Sequence, residues 1–135
     1  MAFTRIDAKP IRVRSQIYEP DYVIVLDPSI SKSQDMTSGL KPEGIVIVNS
    51  PLSPQKIKES GVVAKGRICS IDASSIANKH IGNSIPNTVI LGAFSRATKE
   101  VELRSLFDAV RSRFPGAIAE KNIQAMQEAY DSVKV

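Results

Sequence analysis

Two five-residue runs, Tyr22-Val23-Ile24-Val25-Leu26 and Gly44-Ile45-Val46-Ile47-Val48, consist almost wholly of branched apolar side chains. A strand with one wet face alternates apolar and polar residues, and these runs do not alternate. Uninterrupted runs of this length are the pattern of strands buried on both faces, as in a parallel sheet covered by helices. Arg67-Ile68-Cys69-Ser70-Ile71 is a third apolar run, though only the first two are continuous and rich in Val and Ile. Ahead of it, Ser53 can N-cap a helix over Ser53–Ser60, Pro54 suits its first position and Gly61 its exit. Strand–helix–strand succession implies right-handed crossovers. The fold class is therefore α/β: a three-layer, largely parallel sheet flanked by helices.

Two further features complete the predicted architecture. Met1–Ile6 and Lys9–Arg14 read as an N-terminal β-hairpin around Asp7-Ala8-Lys9, because Ile11 and Val13 alternate with Arg12 and Arg14. Pro10 has no N–H, so the second strand starts there or lies at an edge. Ser33–Leu40 reads as one short helix. The C-terminal half is helical. Asp72 can cap Ala73–Ile81, with Gly82 as its stop. Asn87 or Thr88 can start Val89–Thr98, where Ile90, Ala93, Phe94 and Ala97 repeat at helical spacing. Val89 and Leu91 widen that stripe, so this helix is buried nearly all round, and Gly92 and Ala93 allow close backbone approach. Leu103, Leu106, Phe107 and Val110 mark another helix, ended by Pro115-Gly116. Ala119–Val135 carries the last stripe.

A chain of 135 residues holds one domain, residues 1–135, with a real core. Hydrophobic residues at 42% and charged residues at 24% exclude disorder. One cysteine excludes an internal disulfide framework and a protein-only thiolate cluster for zinc or iron–sulfur, and it fits a cytoplasmic setting. No apolar run approaches a membrane helix, so no membrane partner is expected. A formal charge of +4 is too small to argue for nucleic acid, and none is expected as a partner.

Each central strand ends in a short polar side chain: Asp27, Asn49 and Asp72. In open α/β sheets the ligand crevice lies beyond those carboxyl ends. The same side chains also suit turns and caps, which is the more ordinary role for such tripeptides. The basic group Arg5, Lys9, Arg12 and Arg14 includes one carboxylate, Asp7. It reads either as a solvated hairpin face or as a surface for an acidic partner or a phosphate, with Arg12 and Arg14 acting together from one strand face. There is no Walker loop, Gly-rich dinucleotide fingerprint or CxxC. His80 reads as a helix-end residue and Cys69 as a buried, inert thiol. The catalytic and metal residues expected of this chain are none.

Several segments carry a resemblance: the opening Met1–Asp7, Lys9–Arg12, the stretch Arg14-Ser15-Gln16-Ile17-Tyr18-Glu19-Pro20-Asp21, Gly44–Asn49, Ile71-Asp72-Ala73, Pro86–Phe94 and Ala119–Asn122. Together they resemble the gamma subunits of pyruvate:ferredoxin oxidoreductases, within the wider 2-oxoacid:ferredoxin oxidoreductases, over essentially the whole chain. The resemblance implies a subunit of an enzyme that oxidatively decarboxylates pyruvate to acetyl-CoA, with coenzyme A as co-substrate and electrons passed to ferredoxin. It places thiamine diphosphate, magnesium and iron–sulfur clusters on companion subunits, so none is bound by this chain alone. It implies alpha, beta and delta partners, ferredoxin reached through the complex, and Arg12, Arg14, Asn49 and Asn87 as candidates on the partner or coenzyme A side. Family members begin with a Gly-rich strand–loop–helix before the point matching Met1. The expected domain is thus incomplete at its start, with an open sheet edge and a tendency to homo-oligomerise when isolated. Three alternatives stay open: a gamma subunit serving 2-oxoisovalerate or 2-oxoglutarate, a truncated non-catalytic binding module, and an independent nucleotide-binding domain, against which the missing Gly-rich loop argues.

Overall fold

Three strands, β1 (Tyr22–Val25), β2 (Ile45–Asn49) and β3 (Arg67–Ile71), pair in parallel in the order β1-β2-β3. The computed structural model describes residues 1–32, 35–63 and 65–135. The register sets Tyr22 against Ile45 and Ile45 against Arg67, so all three strands point their carboxyl ends the same way. Among the described residues five α-helices follow or intervene: α1 (Pro54–Ser60), α2 (Ala73–Ile81), α3 (Val89–Thr98), α4 (Leu103–Arg113) and α5 (Gly116–Ser132).

Strand side chains alternate between two faces, and both faces are dry. Val25, Val46, Val48 and Ile68 pack with Leu40, Val63 and Ile57 of α1. Ile47, Cys69 and Ile71 point the other way, onto α2, α3 and α5 through Ile76, Ile90 and Ala129. The sheet is therefore the middle of three layers. A separate cluster of Val110, Ala119, Ile123 and Met126 joins α4 to α5. Each fully buried Val or Ile contributes roughly 1.5–3 kcal/mol relative to exposure, which explains why these runs need no polar alternation.

The caps follow the residue chemistry. Ser53 Oγ accepts from Lys56 N at 3.3 Å, and Pro54 opens α1. Asp72 Oδ1 accepts from Ser75 N at 3.2 Å to start α2. Gly82 ends α2 at φ 88°, a left-handed conformation that strains residues with a Cβ. In α3 only Arg96, Lys99 at its exit aside, is exposed, its guanidinium lying 5.2 Å from the centre of the Tyr130 ring. A Cβ on Gly92 would lie 2.9 Å from the Met126 carbonyl carbon, so glycine is what lets α3 and α5 approach.

Three expectations need correction. The N-terminal β-hairpin is absent: residues 1–21 contain no strand. Alternation supplies a side-chain pattern, but a strand also needs a partner for its backbone groups, and Pro10 removes one donor. Arg5 fills part of that role, donating to the carbonyls of Ser15 at 2.6 Å and Gln16 at 3.2 Å. The expected helix Ser33–Leu40 is also not formed over its described part; residues 33 and 34 lie outside the described residues. Asp35 Oδ1 accepts from Thr37 N (2.9 Å) and Oγ1 (2.8 Å), and Leu40 N donates to Thr37 O at 3.0 Å. This local turn competes with a helix, and a 3-10 helix, Pro28–Lys32, precedes it. Finally, α5 begins at Gly116, three residues before the predicted stripe, with Pro115 at the N-cap position and its carbonyl accepting from Ile118 N at 3.0 Å and Ala119 N at 3.2 Å.

Candidate functional site

The carboxyl edge of the sheet is organised by Asn49. Its Nδ2 donates to Leu26 O and to Ser74 Oγ, both at 2.9 Å. Its Oδ1 accepts from Ala73 N at 2.9 Å and Ser74 N at 3.3 Å. One side chain thus ties the end of β1 to the start of α2. Together with Asp72, it engages every backbone N–H of the first turn of α2: Ala73 and Ser74 bond Asn49, Ser75 bonds the Asp72 carboxylate, and Ile76 bonds Asp72 O. That helix end consequently has no free amide for a phosphate. Asp27 is engaged as well, accepting from Ser29 N at 3.0 Å and Ser29 Oγ at 2.7 Å, and those bonds lower its carboxyl pKa. Asp27 and Asp72 thus take the local turn and cap roles expected of them, whereas Asn49 departs from its expected local turn and caps a helix remote in sequence.

Beside this edge lies an open cleft of about 330 Å³ between Ser50, Pro51, Asp72 and Ile71 on one side and Lys79 and Glu128 on the other. Lys79 Nζ donates to Glu128 Oε1 at 2.6 Å, and His80 Nε2 lies 3.2 Å from Glu128 Oε2. The Lys79 hydrogen bond, followed by the charges of Lys79 and His80, holds the Glu128 carboxyl below its ordinary range despite partial burial. This α2–α5 cluster was not read from the sequence, where positions 79 and 128 are far apart and carry no shared motif.

The remaining candidates stand apart from the cleft. Asn87 is exposed in the turn before α3. Arg12 and Arg14 are exposed in the strandless leading segment, where no strand face unites them. An open concavity of about 430 Å³ there is lined by Phe3, Arg5, Ile11, Val13, Arg14 and Gln16. The structure therefore does not bring the four candidates Arg12, Arg14, Asn49 and Asn87 into one site.

Among the described residues, no group of three or more His, Cys, Asp or Glu side chains converges as a metal site would require. Cys69 is buried, and burial pushes its thiol pKa up, away from the thiolate needed for ligation or attack. No helix among the described residues is long and apolar enough to cross a membrane.

Comparison with known proteins gives a consistent result. The family described as "Pyruvate ferredoxin/flavodoxin oxidoreductase" matches residues 1–132. The pyruvate/ketoisovalerate oxidoreductases common subunit gamma of Pyrococcus furiosus is 47% identical over 134 residues, 99% of this chain and 72% of that protein. The pyruvate synthase subunit PorC of Methanothermobacter thermautotrophicus is 43% identical over 136 residues, 99% of this chain and 71% of that protein. The crystal structure of pyruvate oxidoreductase subunit PORC from Thermotoga maritima superposes with a TM-score of 0.78 at 30% identity, covering 87% of this chain and 66% of that one. The gamma subunit of a keto/oxoacid ferredoxin oxidoreductase from Geobacter sulfurreducens gives 0.61 at 25% identity, covering 82% and 62%. The chain thus spans just under two thirds of either solved chain.

Proposed function

The chain belongs to the pyruvate ferredoxin/flavodoxin oxidoreductase family, and from that premise we propose that it acts as the gamma-type subunit of a pyruvate:ferredoxin oxidoreductase. The observation that carries this reading is the match to gamma and PorC subunits along nearly all of its length. The reaction is the coenzyme A-dependent oxidative decarboxylation of pyruvate to acetyl-CoA, with electrons passed to ferredoxin. Thiamine diphosphate with magnesium and the iron–sulfur clusters belong to companion subunits. A single cysteine is too few to hold a cluster. The part of this chain is to wall and assemble a shared active site, in the cytoplasm, beside alpha, beta and delta subunits.

In this reading Arg12 and Arg14 face a partner subunit, and Asn87 is a candidate on the coenzyme A side. Asn49 serves that side indirectly, by shaping the carboxyl edge with bonds that leave its amide engaged. A second reading of the substrate, 2-oxoisovalerate, is favoured by one observation: the Pyrococcus and Thermococcus relatives are named as subunits common to pyruvate and ketoisovalerate oxidoreductases. A gamma subunit shared in that way leaves substrate choice to its companions.

The test is co-expression with companion alpha, beta and delta chains. The chain is expected to enter a cluster-containing complex that reduces a dye with pyruvate and coenzyme A. Exclusion from a complex whose companions are competent would overturn the proposal. Faster reduction with 2-oxoisovalerate than with pyruvate would favour the second reading.

A further inference from the structure

Residues 1–18 contain four cations, Arg5, Lys9, Arg12 and Arg14, against one carboxylate, Asp7, and so hold +3 of the chain's +4. The rest of the molecule is nearly neutral. Among the described residues no ion pair joins Lys9, Arg12 or Arg14 to a carboxylate, whereas Lys41, Lys79 and Arg111 all have acidic partners. The same stretch exposes Phe3, Ile6, Ile11, Val13 and Tyr18, with Ile6 at 62% and Tyr18 at 72%. Cations and apolar side chains interleave along it. Unpaired charge beside exposed apolar surface is the composition of a protein-binding surface.

The segment is also held in shape. Arg5 donates to the carbonyls of Ser15 (2.6 Å) and Gln16 (3.2 Å), closing a loop ten residues long around Lys9, Ile11, Arg12 and Val13. A loop ordered before binding loses less conformational freedom on association.

We infer that residues 1–18 form a clasped docking loop for an acidic, apolar-pocketed surface of a companion subunit, with Arg5 as the positioning residue and Lys9, Arg12 and Arg14 as the charges that meet the partner. This rests on the proposed role as an oxidoreductase subunit. A protein fits better than the two other polyanions. Nucleic acid would give little use to the exposed aliphatic side chains Ile6, Ile11 and Val13. A membrane surface favours a helix with its apolar side chains gathered on one side, and this segment is not helical.

The experiment titrates the full chain onto a complex of the companion alpha, beta and delta subunits prepared without gamma, from low to high salt. Wild-type binding tests the subunit role, and the variants test the loop. Arg12→Glu with Arg14→Glu is expected to weaken binding at least tenfold at low salt and to flatten its salt dependence, with Arg12→Lys and Arg14→Lys largely restoring both. Arg5→Gln is expected to weaken binding several-fold even at high salt, where the lost charge is screened, because it loosens the loop without removing a partner contact. These residues lie outside the three cores, so far-ultraviolet circular dichroism should not change. Wild-type binding with unaltered affinity and salt dependence in the double reversal overturns the docking loop and leaves the subunit role standing. Capture of the wild type by vesicles containing phosphatidylserine, but not by the companions, overturns both.

Discussion

Asn49 shows how much one residue can organise. Replacing it by alanine would strand the partly buried N–H groups of Ala73 and Ser74, while the exposed Leu26 carbonyl would pass to water. Partly buried groups left without partners cost about 1–3 kcal/mol in such cases. Asn49→Ala should therefore lower the urea midpoint by an amount equivalent to about 2 kcal/mol, and an unchanged midpoint would contradict the bonding described. Tyr22 offers a pH probe at the same scale. Its hydroxyl donates to Glu100 Oε1 at 2.5 Å, and chiefly this bond pushes its pKa up to about 12. The folded state holds the phenolic proton more tightly than the unfolded state does. Its contribution to stability is therefore complete below pH 10 and is lost as pH rises from 10 to about 12. Absorbance titration at the tyrosinate band should show one late-titrating tyrosine that moves earlier in Glu100→Gln. At this scale the sequence was legible wherever a side chain serves its own neighbours, as Ser53 and Asp72 do. It was opaque where a side chain reaches across the fold: nothing local announces that Asn49 caps a helix 24 positions later.

Between elements, the contact of α3 with α5 depends on the missing side chain of Gly92. Gly92→Ala would force a Cβ against the Met126 backbone, which cannot yield like a flexible side chain. Overpacking of this kind costs about 1–3 kcal/mol, and thermal unfolding should show it as a clear drop in Tm. The close approach was readable in advance because Gly92 and Ala93 place two small residues inside the apolar stretch Val89–Phe94. The α2–α5 tie through Lys79, His80 and Glu128 behaves differently. The carboxyl pKa is lowered from 4.5 in the folded state, so the tie contributes above that value and is lost as pH falls through the lowered one. Lys79 is largely exposed, which limits the gain to at most about 1 kcal/mol. Acid unfolding curves of the wild type and Glu128→Gln should converge at low pH and separate above it. The missed hairpin belongs to this scale too. Ile11 and Val13 have the period of a strand, but periodicity specifies a face, and only another strand can complete a ladder.

For the molecule as a whole, two Val- and Ile-rich runs and a third apolar run were enough to define the layered sheet, because burial on two faces favours such side chains, even though β3 also buries Cys69 and Ser70. Exposed segments obey no comparable demand, so the leading residues were misread. Among the described residues β1 pairs only with β2, leaving its outer backbone groups without a strand partner. Unpaired edges template further pairing. Sedimentation of the isolated chain should reveal association that grows with concentration, and a monomer at all concentrations would count against an available edge.

The opposite border of the sheet is different. Ser70 of β3 exchanges two backbone hydrogen bonds with Lys134, each 2.9 Å long, in an antiparallel bridge. That rung acts as a stopper: an incoming strand would have to evict residue 134 before it could lie flush along β3. Any enlargement of the sheet is thereby directional, recruited at β1 and hindered along β3, so a neighbouring polypeptide that adds a strand has one free border to build on.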